Sequence, residues 1–232
     1  MKIITFNRLP KDSRILIACE ESGAVRDAFI RLGYVNTYSC DIKPNPHPNH
    51  IQGDITEVLD QHWDMMIAFP PCTYLALSGN RWLYNKDKSK NVDRWNKREK
   101  ALDFVRLLMN APIDRIAIEN PMSVISSQIR KPDQKIQPYE HGHKAQKTTC
   151  LWLKNLPLLK PTKVVDKGEF VTMGNGSKMP KWYSDCYKLS PKERAEQRSK
   201  TFKGIANAMA DQWTRLILTW GRTIWKLHIN FI

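Results

Sequence analysis

Met65-Met66-Ile67-Ala68-Phe69-Pro70-Pro71-Cys72 is an apolar run that stops on two prolines and delivers one cysteine. Proline fixes φ and supplies no ladder donor, so the run reads as a buried strand ending at the Pro-Pro step. Cys72 then stands at a strand's carboxyl end. In an open parallel α/β sheet that edge is where ligands bind, and a thiol held there on a stiff turn is positioned as a nucleophile. The plainer alternative is a small buried core cysteine. Arg115-Ile116-Ala117-Ile118-Glu119-Asn120-Pro121 repeats the pattern with a carboxylate in place of the thiol, and the Pro121 ring helps to end the strand at the acid. Alone, Glu119 could be a helix cap or a surface acid. Together, two strands present a thiol and a carboxylate at corresponding ends.

Pro70-Pro71-Cys72 followed by Glu119-Asn120-Pro121 resembles the two catalytic motifs of the cytosine-5 DNA methyltransferases, in order and separation as well as in residue type. The resemblance implies a Rossmann-like α/β fold that uses S-adenosylmethionine, a mostly parallel sheet with helices on both faces. It also implies roles: the Cys72 thiolate adds to carbon 6 of the pyrimidine, and Glu119 engages ring N3 and offsets the developing charge. A cysteine suits the first step as a strong nucleophile even when partly ionised. The glutamate must be partly desolvated to hold a proton near neutral pH.

Upstream, Arg14-Ile15-Leu16-Ile17-Ala18-Cys19 reads as a strand, Glu20-Glu21-Ser22-Gly23 as a tight polar turn, and Ala24 to Leu32 as a helix. Strand, glycine-containing turn and helix open a Rossmann-like unit, but the three-glycine dinucleotide fingerprint is absent. Tyr38-Ser39-Cys40-Asp41 ends a second strand on an acid able to bond ribose hydroxyls. In the resembled family the acid corresponding to Asp54 contacts the adenine amino group. The expected cofactor set is Cys19, Glu20, Ser22, Gly23, Asp41, Ile42, Asp54, Ile55, Pro70 and, by a loose match to a Gly-Asn-Ala-Val motif, Asn207. Each acid alone reads equally as a turn or cap residue.

Two features depart from the family. Its Gln-x-Arg-x-Arg motif would fall on Gln146-Lys147-Thr148-Thr149-Cys150, which holds no arginine, so its basic work falls to Lys144, Lys147 or residues elsewhere. The stretch before the carboxyl-terminal helix is also too short for the usual target-recognition domain, which is reduced or absent. In size the chain resembles the short methyltransferase-like proteins of phage genomes.

The 232 residues carry 37 basic and 23 acidic side chains, a net charge of +14 that points to a polyanionic partner. Lys86, Lys88 and Lys90, then Arg94, Lys97, Arg98 and Lys100, concentrate that charge after Cys72, with Arg81, Trp82, Tyr84 and Trp95 interleaved. Cations neutralise phosphates while aromatics stack on or replace a displaced base. Arg81, Trp82, Lys86, Lys88, Lys90, Lys144 and Lys147 are thus the expected nucleic-acid contacts. The partner is DNA, with RNA or a nucleotide as a related alternative; a basic binding protein without turnover is the alternative from another class.

Five cysteines show no zinc-ribbon spacing, and their odd number argues against a complete disulfide framework, so a reducing cytoplasm (the bacterial host's, for a phage protein) is expected. His47 with His50 and His141 with His143 read as solvated loops, and no metal is expected. No signal peptide and no membrane-length apolar run is visible. A monomer of one domain, residues 1–232, is the expected organisation. Residues 1–13 read as a leader or edge strand, Pro44 to Asn49 as a loop, and 73–94 as a basic loop that closes over a base. Trp95 to Met109 reads as a helix, Thr148 to Leu153 and Val164 to Met173 as strands, and about 155–189 as a small variable region. A last helix starts at the Ser190 capping box and runs toward Leu216, with a break near Gly204.

Overall fold

The computed structural model describes residues 7–216; residues 1–6 of the expected leader lie outside the described residues. The strands are β1 (Asn7–Arg8), β2 (Ile15–Ala18), β3 (Thr37–Asp41), β4 (His50–Gln52), β5 (Met65–Ala68), β6 (Arg115–Pro121), β7 (Gln134–Ile136), β8 (Thr149–Lys154), β9 (Phe170–Thr172), β10 (Lys178–Pro180) and β11 (Arg215–Leu216). The α-helices are α1 (Ala24–Arg31), α2 (Val92–Met109), α3 (Ile125–Gln128), α4 (Lys181–Asp185), α5 (Pro191–Ser199) and α6 (Lys203–Trp213).

A seven-stranded sheet of order β4-β3-β2-β5-β6-β8-β7 forms the centre. Strands β2 to β6 run parallel, and β8 lies antiparallel to both β6 and β7. Every residue of β2 and β5 is buried, which is why both read as unbroken apolar runs: central parallel strands are covered on both faces. Leu16, Met66, Ile118 and Trp152 pack on one face with Leu102, Val105 and Leu108 of α2. Ile17, Ile67, Ala117 and Leu151 pack on the other with Phe29 of α1 and Met209 and Trp213 of α6. Each such large side chain contributes about 1.5–3 kcal/mol by leaving water. This is an α/β architecture with a mostly parallel sheet and helices on both faces, compatible with a Rossmann-like fold.

Strand order reverses between β2 and β5, since the chain steps outward from β2 through β3 to β4 and then returns to β5 on β2's other side. In open α/β sheets ligands bind outside the carboxyl ends at such a switch point. The loops that leave β2 and β5 there carry Cys19-Glu20 and Pro70-Pro71-Cys72.

Several expected elements differ. The loop over 73–94 contains a 3-10 helix, Leu77–Leu83, and a turn closed by an isolated bridge between Tyr84 and Lys90. Helix α2 starts at Val92, ahead of Trp95, because the Asn91 side chain accepts the Arg94 N–H at 3.1 Å and caps it. Of Val164 to Met173 only β9 is strand, paired with β10 across the Gly174 to Ser177 turn. The last helix divides into α5, closed by the Ser190/Glu193 capping box, and α6. The break falls at residues 200–202, and Gly204 sits inside α6. A side chain there would lie 1.8 Å from the His141 carbonyl oxygen. The histidine loops are not simply solvated. His141 is buried, and the His143 Nε2 accepts the Gly204 N–H at 2.8 Å. Within the described part of the leader, Asn7–Arg8 does form an edge pair, with Arg215–Leu216.

Candidate active site

Cys72 is the exposed member of the five cysteines. It follows β5 by way of a buried Pro70 whose carbonyl accepts from the Asn120 Nδ2 at 2.9 Å. That bond ties the Pro-Pro-Cys turn to the Glu119-Asn120 end of β6. The carbonyl of Cys72 accepts the N–H groups of Leu75 and Ala76, so the turn closes on itself directly after the thiol. Ala76 bridges Ser123, and the Leu77 N–H donates to the Met122 carbonyl at 3.0 Å, which locks the two loops together a second time. The Asn120 Oδ1 and the Ser123 hydroxyl are buried there without a partner.

The thiol and the carboxyl feel each other. Desolvation of the sulfur by the surrounding protein raises the Cys72 pKa although the residue reaches the surface, the Glu119 charge raises it further, and Lys147 opposes both. Burial raises the Glu119 carboxyl above the usual range, against the Lys147 charge and the Thr149 hydroxyl, which favour its ionised form. An acid held up by desolvation is suited to keep a proton near neutrality. Lys147, from the segment expected to replace the missing arginines, therefore lies in the field of both groups. Thr149 was not singled out by the sequence, but it shares the alternating face of β8 with Leu151, which pairs with Glu119.

The expected cofactor residues after β2, β3 and β4 also converge. Glu20 is 5 % exposed; its Oε1 accepts from the Val25 N–H at 2.9 Å and the Ser22 hydroxyl at 3.0 Å. Burial raises its pKa against these bonds and the Arg26 charge, and its Oε2 is buried without a partner. Gly23 opens α1 at φ 71°, where a side chain is strained, and a Cβ there would lie 2.2 Å from the Arg26 guanidinium, which would have to move. Cys19 also adopts a positive φ, 59°, where the chain leaves the sheet. Its thiol is pushed up to about 12 by burial and by Asp41, Cys40 and Asp54, which puts both acids within its electrostatic reach. Asp41 accepts the Lys43 N–H, and the neighbouring Ile42 side chain is 75 % exposed. Asp54 accepts the Thr56 N–H and hydroxyl on Oδ1 and is held below the usual carboxylate range by them. Ile55 is a core residue, and Asn207 is an exposed residue of α6 whose Oδ1 accepts from Arg31 at 3.0 Å. Neither side chain joins the others.

The basic stretch divides by position. Lys86, Lys88 and Lys90 are exposed, as is Trp82 with the Arg81 guanidinium 4.6 Å from its ring centre. Arg98 is buried, donating to the Tyr74 carbonyl at 3.0 Å and the Asn80 Oδ1 at 2.6 Å. Arg94 donates to the Thr73 carbonyl at 3.2 Å. These two arginines of α2 brace the loop that follows the thiol, a role the sequence reading missed. Lys97 pairs with Asp93, and Lys144 is exposed. Exposed Leu77 and Met122 form an apolar rim where the loops after β5 and β6 meet.

Among the described residues no cluster of His, Cys, Asp and Glu could hold a metal ion, and no helix is long and apolar enough to cross a membrane. Two surface concavities of about 520 and 540 Å³ flank Arg106 on α2; Thr56, the partner of Asp54, lines the second, and none of the expected site residues lines either. The sequence matches no protein-family model and no curated protein.

Proposed function

We propose that this chain is a DNA cytosine-5 methyltransferase of the short kind, with Cys72 as nucleophile, Glu119 as acid and S-adenosylmethionine as donor. The observation that carries this reading is the pairing of an exposed thiol on the turn after β5 with a desolvated carboxyl at the end of β6, tied together by the Asn120–Pro70 bond. It is supported by their place at the carboxyl edge, Cys72 on the loop that leaves β5 at the switch point and Glu119 one strand further out on β6.

The residues beyond β2 to β4 fit the donor. A sulfonium with an amino group is cationic, and this end of the edge is acidic: Asp41 and Asp54 act together on Cys19, and Glu20 keeps an unpartnered buried oxygen. Ile42 offers apolar surface beside Asp41 for a flat ring. Glu20, Ser22, Gly23, Asp41, Ile42 and Asp54 would hold the group, which when bound supplies an electrophilic methyl. Pro70 contributes through its carbonyl, by fixing the thiol's turn. The reversed β8 inside the sheet and the single glycine after β2 set the chain apart from the six-stranded dinucleotide-binding order.

The chain's own residues do the rest. Cytosine carbons are unreachable within a stacked duplex, so the base leaves the stack. The Cys72 thiolate forms a bond to carbon 6 as the ring's electron pair moves toward carbon 5. Glu119, protonated, donates to ring N3 and balances the charge that appears on the ring. Once carbon 5 carries the methyl group, its proton passes to water and the carbon 6–sulfur bond breaks, releasing the Cys72 thiolate and restoring the aromatic ring. Arg94 and Arg98 keep the Thr73 to Asn80 loop in place beside the thiol. The exposed lysines of the 84–90 turn suit a phosphate backbone, and the small variable region of about 155–189 stands where a larger recognition domain would be.

Intact-mass measurement of DNA incubated with the protein and donor tests this, with RNA in parallel. A gain of one methyl group on DNA is expected, and DNA containing 5-fluorocytosine should become covalently attached to the peptide bearing Cys72. An adduct on Cys19 or Cys150, or methylation of RNA alone, would overturn the assignment.

A further inference from the structure

The Lys147 ammonium does not hang free beside the reactive pair. Its Nζ donates to the Arg198 carbonyl at 2.7 Å and the Lys200 carbonyl at 3.3 Å, at the end of α5. The last carbonyls of a helix lack intrahelical partners and carry the negative end of its dipole, so they make a directional receptor for one cation. The backbone is held as well: the Lys147 N–H donates to the Gln137 Oε1 at 3.1 Å, and the Gln146 carbonyl accepts from the Trp182 Nε1 of α4 at 3.0 Å. Arg198 in turn lies 3.9 Å over the Tyr183 ring. The lobe of α4 and α5 thus grips the segment at the backbone of Gln146 and at the side-chain tip of Lys147.

We propose that Lys147 is a positioning residue for Cys72 and Glu119, and that the α4–α5 lobe aims it, so that docking of this lobe sets the protonation of the pair. The charged groups acting on the thiol are Glu119 from β6 and Lys147 from the segment before β8. From α2, Arg94 and Arg98 are bound to the Thr73 and Tyr74 carbonyls. Lys147 is accordingly the cation that favours the thiolate, and the same charge restrains the carboxyl from rising further. An arginine-free motif can work this way because the charge is imported one residue out of the family's register and fixed from outside by a helix end. The role assigned to Lys147 rests on the reading of Cys72 and Glu119 given above.

The test needs neither donor nor nucleic acid. The rate at which iodoacetamide alkylates Cys72 is followed against pH by peptide mass spectrometry. Lys147→Met should move the midpoint upward and slow alkylation near pH 7.5 by roughly threefold to tenfold, since tenfold corresponds to one pKa unit. Lys147→Arg should keep the wild-type midpoint, and Glu119→Gln should move it downward. Trp182→Phe combined with Tyr183→Ala, which leaves Lys147 in place, should slow alkylation in the same direction by about twofold to threefold. If Lys147→Met does not fold, Lys147→Gln carries the same expectation. Coincident profiles for wild type and the neutral variant would overturn the proposal, as would equal shifts for Met and Arg, which would mean a structural role. A wild-type profile in the lobe variant would overturn the part given to the lobe. Absence of methyl transfer leaves a shifted profile standing, so the two failures are distinguishable.

Discussion

Beyond β2, β3 and β4 the carboxyl edge of the sheet carries Glu20, Asp41 and Asp54, whereas beyond β5 and ahead of β8 the same edge carries Cys72, Arg81 and Lys147. Each half holds a cysteine directly outside its strands, and their fates differ. Cys19 is pushed up to about 12 by burial and two carboxylates, which leaves it a protonated, inert thiol. Cys72 is exposed, feels one carboxyl, and has a lysine working against it. Position at a switch-point edge therefore does not make a nucleophile by itself: exposure, and a lysine that opposes the one nearby carboxyl, separate Cys72 from Cys19. A chain of net charge +14 thus keeps one acidic stretch of this edge, at Glu20, Asp41 and Asp54, apart from its exposed basic turn.

The sharpest way to break this comparison is to remove the reactive groups of one half and watch the other. Cys72→Ser should lower turnover by at least about a thousandfold, because the hydroxyl is a far poorer nucleophile with no base beside it. Glu119→Gln, which keeps the shape and loses the ionisable proton, should cost about 10²- to 10⁴-fold. Both should bind S-adenosylhomocysteine in a calorimeter as the wild type does. A Ser variant with near-normal transfer would remove Cys72 from the mechanism, and a large loss of ligand affinity in either would show that the halves are not separate.

What was legible beforehand follows the same division. Strands β2 and β5 were plain because full burial on both faces demands an unbroken apolar run, and Pro70-Pro71 marks where β5 must stop. Cys72 and Glu119 stand out as the polar residues that close such runs, Asp41 as the acid ending the second strand, and Asp54 only through the family resemblance. Roles fixed by partners distant in the chain were not legible. Asn120 reaches back to Pro70, Lys147 reaches forward to Arg198, and Arg98 reads as one more surface charge until its bonds to Tyr74 and Asn80 are seen. No local pattern carries those pairings. Gly204 looked like a helix breaker, and its reason is a neighbouring carbonyl belonging to His141. The short strands β9 and β10 lack the alternation or apolar run that would have bounded them.

On the acidic side, Asp41→Ala and Asp54→Ala should each weaken S-adenosylhomocysteine by about 1–3 kcal/mol, the range for a lost partner of a buried polar ligand group. They should differ in stability. Asp54 caps the 3-10 turn through Thr56, so its loss should also lower the unfolding free energy by about 1 kcal/mol, while Asp41→Ala should change it less. Cys72 alkylation should be unaffected by both. Absence of ligand binding by the wild type at millimolar concentration would break the acidic half of the comparison outright.

On the basic side, replacing Lys86, Lys88 and Lys90 together with Ala should reduce the slope of log affinity for DNA against log salt by up to about three, with little change in preferred sequence. Arg81→Ala and Trp82→Ala should reduce turnover more than binding. Identical salt slopes for wild type and the triple variant would make this turn an ordinary solvated surface.

The smallest effect concerns how the basic half is fastened to α6. The His143 Nε2 accepts the Gly204 N–H, which requires a neutral ring at that nitrogen, and burial holds its pKa below 6.5. His141 is lowered too, by burial first and by His143, against Glu140. Above about pH 6.5 the folded and unfolded chains both carry neutral rings, so the full stability is present. As pH falls below that value the unfolded chain takes up protons that the folded chain refuses, and stability is lost until the depressed folded values are passed. Urea midpoints measured from about pH 7.5 down to pH 5.5 should therefore decline in the wild type. In His143→Gln, whose amide oxygen can still accept from Gly204, the decline should be shallower but not absent, because His141 remains. An equal decline in both proteins would show that the tie at Gly204 does not depend on the charge of that ring.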